Sequence, residues 1–138
     1  MRFVGRVFRV GKYWAVEVPI LDVVSQGRTR KDALGMLADA VESLVNRPGF
    51  KLSVYPGAGE HFEVGSDDQA TLTAFLLRRA RQRAGLSLAE VAQRLGATSV
   101  NAYARYEQGR SVPTVQKLSQ LFAAVAPNRD LVLTESEA

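Results

Sequence analysis

Asn101 and Arg105 stand four residues apart in ATSVNAYARYEQG (97–109), a spacing that puts both on one face of a helix. An amide and a guanidinium can each make paired hydrogen bonds to the edge of a nucleobase, each pair contributing about 1–3 kcal/mol of discrimination. Thr98, Ser99 and Ala102 belong to the same candidate surface. Val100, Tyr103 and Tyr106 recur every third residue and are expected to pack inward, with the tyrosine hydroxyls bonded. Arg110 and Lys117 fall near helix ends, where a cation suits phosphate contacts that position a protein without specifying sequence. Ser87 precedes LAEV with Glu90 three residues on; its hydroxyl caps a helix and, with the helix N-terminus, is available to a phosphate.

Other chemistry is poorly supplied. The chain has no cysteine, which removes disulfides, thiolate nucleophiles and cysteine-type zinc sites. Its single histidine, His61, is expected on a strand surface, since a metal site needs more ligands than it can recruit. Glu17, Asp22 and Asp39 are conceivable magnesium ligands for a nuclease, but Glu17 lies on a strand and Asp39 opposite the apolar stripe of a helix. No catalytic, metal-binding or cofactor-binding residue is expected, and the chain is not expected to be an enzyme.

Charge points the same way as Asn101 and Arg105. The formal net charge is only +4, yet between Ala70 and Asn128 the residues Arg78, Arg79, Arg81, Arg83, Arg94, Arg105, Arg110 and Lys117 face only Glu90 and Glu107. A local excess of this kind favours phosphate, because each neutralised phosphate releases counterions. Arg81 and Glu107 are set apart as a structural ion pair joining two helices. No apolar run approaches the roughly 18 residues of a membrane span, and Arg2, Arg6 and Arg9 interrupt the N-terminus where a signal peptide would be apolar. A cytoplasmic protein is expected.

The elements that must position these residues fall into two segments. In 1–65, FVGRVFRV (3–10) and YWAVEV (13–18) alternate around Gly11-Lys12 as a hairpin does, and LDVVSQ (21–26) is a third extended piece. From Thr29 the period turns helical, with Leu34, Leu37, Val41, Leu44 and Val45 on one stripe until Pro48-Gly49. FKLSVY (50–55) and HFEV (61–64) read as strands, so an α+β layer of one helix on a sheet is predicted. In 66–138 the pattern is helical. Ser66 is the expected cap of a first helix carrying Leu72, Phe75, Leu76 and Ala80, which Gly85 stops. A second helix carries Leu88, Val91, Ala92 and Leu95 inward, and a third runs from about Ser99 to Gln108. Pro113 opens a fourth, with Val115, Leu118, Leu121, Phe122 and Val125 inward. DLVLT (130–134) is extended and suited to pair with a second copy.

Two stretches carry a family resemblance. EVPILDVVSQGRTRKDALGMLADAVESL (17–44) and LAEVAQRLGATSVNAYARYEQGRSVPTVQKL (88–118) together resemble the HicB antitoxins of type II toxin-antitoxin systems, the second being similar to the Cro/CI-type (XRE) helix-turn-helix that many of them carry. The resemblance implies a partial RNase H-like N-terminal fold without nuclease activity, which binds a HicA-type toxin. Such a toxin is an mRNA-cleaving ribonuclease whose catalytic histidine is covered in the complex. It also implies a C-terminal domain that binds operator DNA and represses the pair's transcription. Two places differ from the family pattern. Pro19-Ile20-Leu21-Asp22-Val23-Val24 replaces a common Pro-Asp-Leu-Pro-Gly-Cys, and Leu88 stands where a DNA-contacting Gln is frequent, ahead of a turn one residue longer near Ala97-Thr98.

The expected function is therefore an antitoxin and autorepressor acting as a homodimer or higher even oligomer, since a helix-turn-helix reader usually meets a two-fold operator. A transcription regulator whose N-terminal segment senses a small ligand is the alternative.

Overall fold

A computed structural model describes residues 1–137. The N-terminal alternation produces β1 (Arg2–Val10) and β2 (Tyr13–Val18), paired antiparallel from Arg6 opposite Glu17 to Val10 opposite Tyr13. Gly11, at φ +59°, takes the first position of the two-residue turn, a conformation that follows the strand twist and that a side chain would resist. A short 3-10 turn at Pro19–Leu21 leads through Asp22, at φ +53°, into β3 (Val23–Gly27), which pairs with β2. After helix α1 (Arg30–Val45) come β4 (Ser53–Pro56) and β5 (His61–Gly65). The strand order is β3-β2-β1-β5-β4, every neighbour antiparallel, so α1 carries the chain from one edge of the sheet to the other.

One face of the sheet meets α1. Phe3 and Val7 of β1, Val16 and Val18 of β2, Val23 of β3 and Phe62 and Val64 of β5 pack against Ala33, Leu34, Leu37, Val41 and Val45. Gly5 is required here. It pairs directly with Phe62, whose ring folds over it so closely that a Cβ would stand 2.3 Å from the ring. Thr29 caps α1 by accepting from the Asp32 amide at 3.0 Å. Leu44, placed on the inward stripe by its spacing, is exposed, and Ala33 completes the stripe instead. β4 begins three residues later than FKLSVY suggests; Phe50 and Leu52 reach the core from irregular backbone.

The second segment is helical: α2 (Gln69–Arg83), α3 (Leu88–Arg94), α4 (Asn101–Glu107) and α5 (Val115–Val125). The cap of α2 is Asp68 rather than Ser66. The Asp68 carboxylate accepts from the Thr71 amide at 3.0 Å and the Thr71 hydroxyl at 2.6 Å, while Ser66 accepts from the Asp68 amide at 3.1 Å. A carboxylate is the stronger acceptor at the positive end of a helix. Those bonds hold Asp68 below the usual carboxylate range, the Thr71 hydroxyl first and its amide second. α5 is capped by Thr114, which leaves Pro113 outside the helix and Val115 almost fully exposed.

Thr71 through Leu77 are buried without a break, so the middle of α2 has no solvent face. A helix apolar all round lies between two bodies, and α2 does: the sheet unit packs on one side, α4 and α5 on the other, within one continuous apolar cluster from Phe3 to Ala126. Arginines tie the seam. Arg79 Nε donates to the Leu21 carbonyl at 3.0 Å and Nη2 to that of Asp22, whose carboxylate is 3.6 Å away. Arg78 donates to the Leu44 carbonyl at 2.6 Å and Arg83 to the Pro19 carbonyl at 3.3 Å.

Candidate nucleic-acid interface

α3, the turn after it and α4 form the site. Ser87 and Glu90 make a reciprocal capping box: the Ser87 hydroxyl accepts from the Glu90 amide and the Glu90 carboxylate from the Ser87 amide, both at 3.1 Å. These bonds lower the Glu90 pKa, the Ser87 backbone amide contributing most. Val91 and Ala92 face the core, as do Tyr103, Ala104 and Tyr106 across the turn. Val100 does not join them. It sits at the cap position of α4, where its backbone is already helical, and its side chain is exposed.

The inward packing of Tyr103 and Tyr106 turns the opposite side of α4 outward. Asn101, Ala102 and Arg105 line an open hollow there together with Gln108 and Arg110. Gln108 was not singled out by the sequence, although it continues the Asn101–Arg105 spacing by three more residues; the glycine after it reads as a helix end. Arg105 rests on Tyr106, its guanidinium carbon 5.0 Å from the ring centre and Nη2 donating to the hydroxyl at 3.2 Å. No acid pairs with Arg105 or Arg110 among the described residues. Thr98, Ser99 and Ser87 are exposed but lie outside that hollow, and Lys117 is half-buried in the first turn of α5, its amide donating to Thr114 Oγ1 at 3.1 Å.

Arg81 and Glu107 join α2 to α4 through two parallel bonds, Nε to Oε2 at 2.7 Å and Nη2 to Oε1 at 3.0 Å, and Arg81 Nη1 also donates to the Leu86 carbonyl at 3.0 Å. The paired carboxylate raises the Arg81 pKa further. Beside it the fully buried Tyr103 hydroxyl has no hydrogen-bond partner among the described residues. Burial first, and the Glu107 carboxylate second, push that hydroxyl far above the usual tyrosine range.

The basic excess between residues 70 and 128 is thus mostly internal. Arg78, Arg79 and Arg83 hold the seam, Arg81 holds α4, and Arg94 donates to the Ala124 carbonyl at 3.3 Å. Arg105, Arg110 and Lys117 have no acid partner among the described residues. His61, on β5, is 3.3 Å from the Glu63 carboxylate.

Residues 74–132 match the family of helix-turn-helix domains, a span that covers α3, α4 and α5 and most of α2. The C-terminal unit is therefore a helix-turn-helix domain of the DNA-binding class. No curated protein matches the chain. Among the described residues no helix is long and apolar enough to cross a membrane.

Proposed function

We propose that the chain is a HicB-like antitoxin that also represses its own operon from the cytoplasm, without catalytic residue or cofactor. In this reading residues 1–65 correspond to the partial RNase H-like domain that holds a HicA-type toxin, and residues 66–138 to the Cro/CI-type domain that binds operator DNA. Inhibition is steric: the sheet and the outer side of α1 lie across the path of the toxin's RNA. Asn101 and Arg105 read bases, Thr98, Ser99 and Ala102 border them, and Arg110, Lys117 and Ser87 hold phosphates. The observation that supports this best is the pairing, in one chain, of that reading face with a sheet whose second side carries no helix among the described residues and exposes Val4 and Val24. A homodimer or higher even oligomer suits a two-fold operator, and Val132 and Leu133 of the C-terminal segment are exposed enough to pair with a second copy.

The test is co-expression with the small basic protein expected to be encoded beside this one. Growth arrest by that protein alone, relief by the chain, and co-purification of the two are the expected results. A chain that represses fully by itself and relieves no arrest overturns the reading.

One observation favours a ligand-sensing regulator instead: a cleft of about 360 Å³ between the units, lined by Ile20, Phe122 and Val125 with Arg79 and Arg83 at its sides. Its size falls at the small end of ligand pockets. Operator binding that changes with a small amphipathic acid, in the absence of any protein partner, would select that reading.

A further inference from the structure

The N-terminal unit reaches into the DNA-reading site through one side chain. Arg47 follows Asn46, which ends α1 in a left-handed conformation at φ +51°. Its Nη1 donates to the Thr71 hydroxyl at 2.5 Å, and Nη2 donates to the carbonyl oxygen of Gln108, the residue that closes α4, at 2.6 Å. The Thr71 hydroxyl in turn donates to the Asp68 carboxylate at 2.6 Å, so the guanidinium is held on its second side as well. Gly109 fits beneath it: a Cβ at that position would stand 2.8 Å from Nη1.

The bond to Gln108 matters because of what α4 lacks. It is a helix of seven residues with no side-chain cap at its N-terminal end. So short a helix draws little stability from its own hydrogen bonds. Although the amides of Gln108, Gly109 and Arg110 close the carbonyls of Ala104, Tyr106 and Arg105, the Gln108 carbonyl at the negative end of the helix dipole takes its donor from Arg47. A cation with two fixed donors answers both deficits. Gln108, whose carbonyl it grips, also lines the hollow with Asn101, Ala102, Arg105 and Arg110.

The geometry points to Arg47 as a positioning residue for DNA reading. From the loop after α1 it fixes the C-terminal end of α4, which makes the sheet-and-helix unit a working part of the reading site. This rests on the helix-turn-helix reading of α4 and adds to it a residue from outside the helical unit.

The test uses the full chain and a duplex that the wild-type chain selects from a random-sequence pool, beside an unselected duplex of equal length. Arg47→Ala is expected to weaken binding to the selected duplex by about five- to twenty-fold. Binding to the unselected duplex and the dependence of affinity on salt are expected to stay unchanged. Arg47→Lys recovers part of the loss, since one ammonium cannot span both acceptors; Arg47→Gln is the companion variant should the alanine chain not fold. Equal affinity of Arg47→Ala and wild type overturns the proposal, and so does a lower melting temperature without loss of affinity. Equal losses on both duplexes with a salt slope shallower by about one make Arg47 a direct phosphate contact and overturn it too. A wild-type chain that selects no duplex defeats the DNA reading itself, a result distinct from all of these.

Discussion

The open face of the sheet and the outer face of α4 are both rich in charge, and they use it in opposite ways. On the sheet, Arg2 meets Glu63 at 3.3 Å, and Arg6 meets Glu60 at 3.2 Å and Glu17 at 3.6 Å, so each cation has an acid beside it. On α4, Arg105 has a tyrosine hydroxyl, and neither it nor Arg110 has an acid among the described residues. What separates a recognition surface for a nucleic acid from an ordinary solvated face is therefore not the number of arginines but whether their donors are already answered. The sheet face offers shape and scattered apolar side chains, which suits a protein partner. The helix face offers uncommitted donors at fixed spacing, which suits bases and phosphates.

The largest effect that would sharpen this contrast lies in the ion pair behind α4. Glu107→Ala leaves Arg81, whose side chain is only 16% exposed, without its carboxylate, and about 3 kcal/mol of stability should go with it. Thermal unfolding should show a drop of several degrees; an unchanged midpoint would falsify the structural role given to the pair. Tyr103→Phe works in the other direction. It removes a buried hydroxyl that meets the Glu107 carboxylate without a well-formed hydrogen bond to any described residue, so the variant should be as stable as wild type or more so, by up to about 1 kcal/mol. Clear destabilisation in urea would show instead that the hydroxyl is bonded in solution.

Smaller effects belong to the exposed groups. Arg6→Ala breaks two ion pairs on the sheet, yet its side chain is 55% exposed and solvent screens both, so the midpoint should move by less than about 0.5 kcal/mol in stability. A shift as large as that of Glu107→Ala would erase the distinction between the two faces. Acid should act through the helix caps. Asp68 is held below its unfolded value by Thr71, so its contribution is fully present above the unfolded pKa and is lost as pH falls through the lower folded one. Stability should therefore fall on acidification below about pH 4, and Asp68→Asn should flatten that fall; a variant with the wild-type acid profile would contradict the assignment.

Much of this was legible from spacing. The alternation in 3–10 and 13–18 suited a hairpin, and the Ser87–Glu90 and Thr29–Asp32 spacings marked two helix starts; the structure places all three there. Leu44 and Val115 were misplaced because apolar type does not force burial: a folded chain keeps many such side chains at its surface. Ser66 was the expected cap of α2, and the loop geometry gives that place to Asp68. The roles of Arg78, Arg79 and Arg83 could not be read at all. In sequence they look like phosphate ligands, and their real acceptors are backbone carbonyls in a distant turn and helix end. Arg47 was hidden for the same reason, its acceptor Gln108 lying far along the chain.

The central claim is that the outward face of α4 reads sequence. Its most direct test is the base-preference profile of Arg105→Ala against that of the wild-type chain, each measured by selection from the same random duplex pool. The account expects preference to relax at one position, by about 1–3 kcal/mol, with the rest of the profile and the melting temperature unchanged. Two superimposable profiles would contradict it.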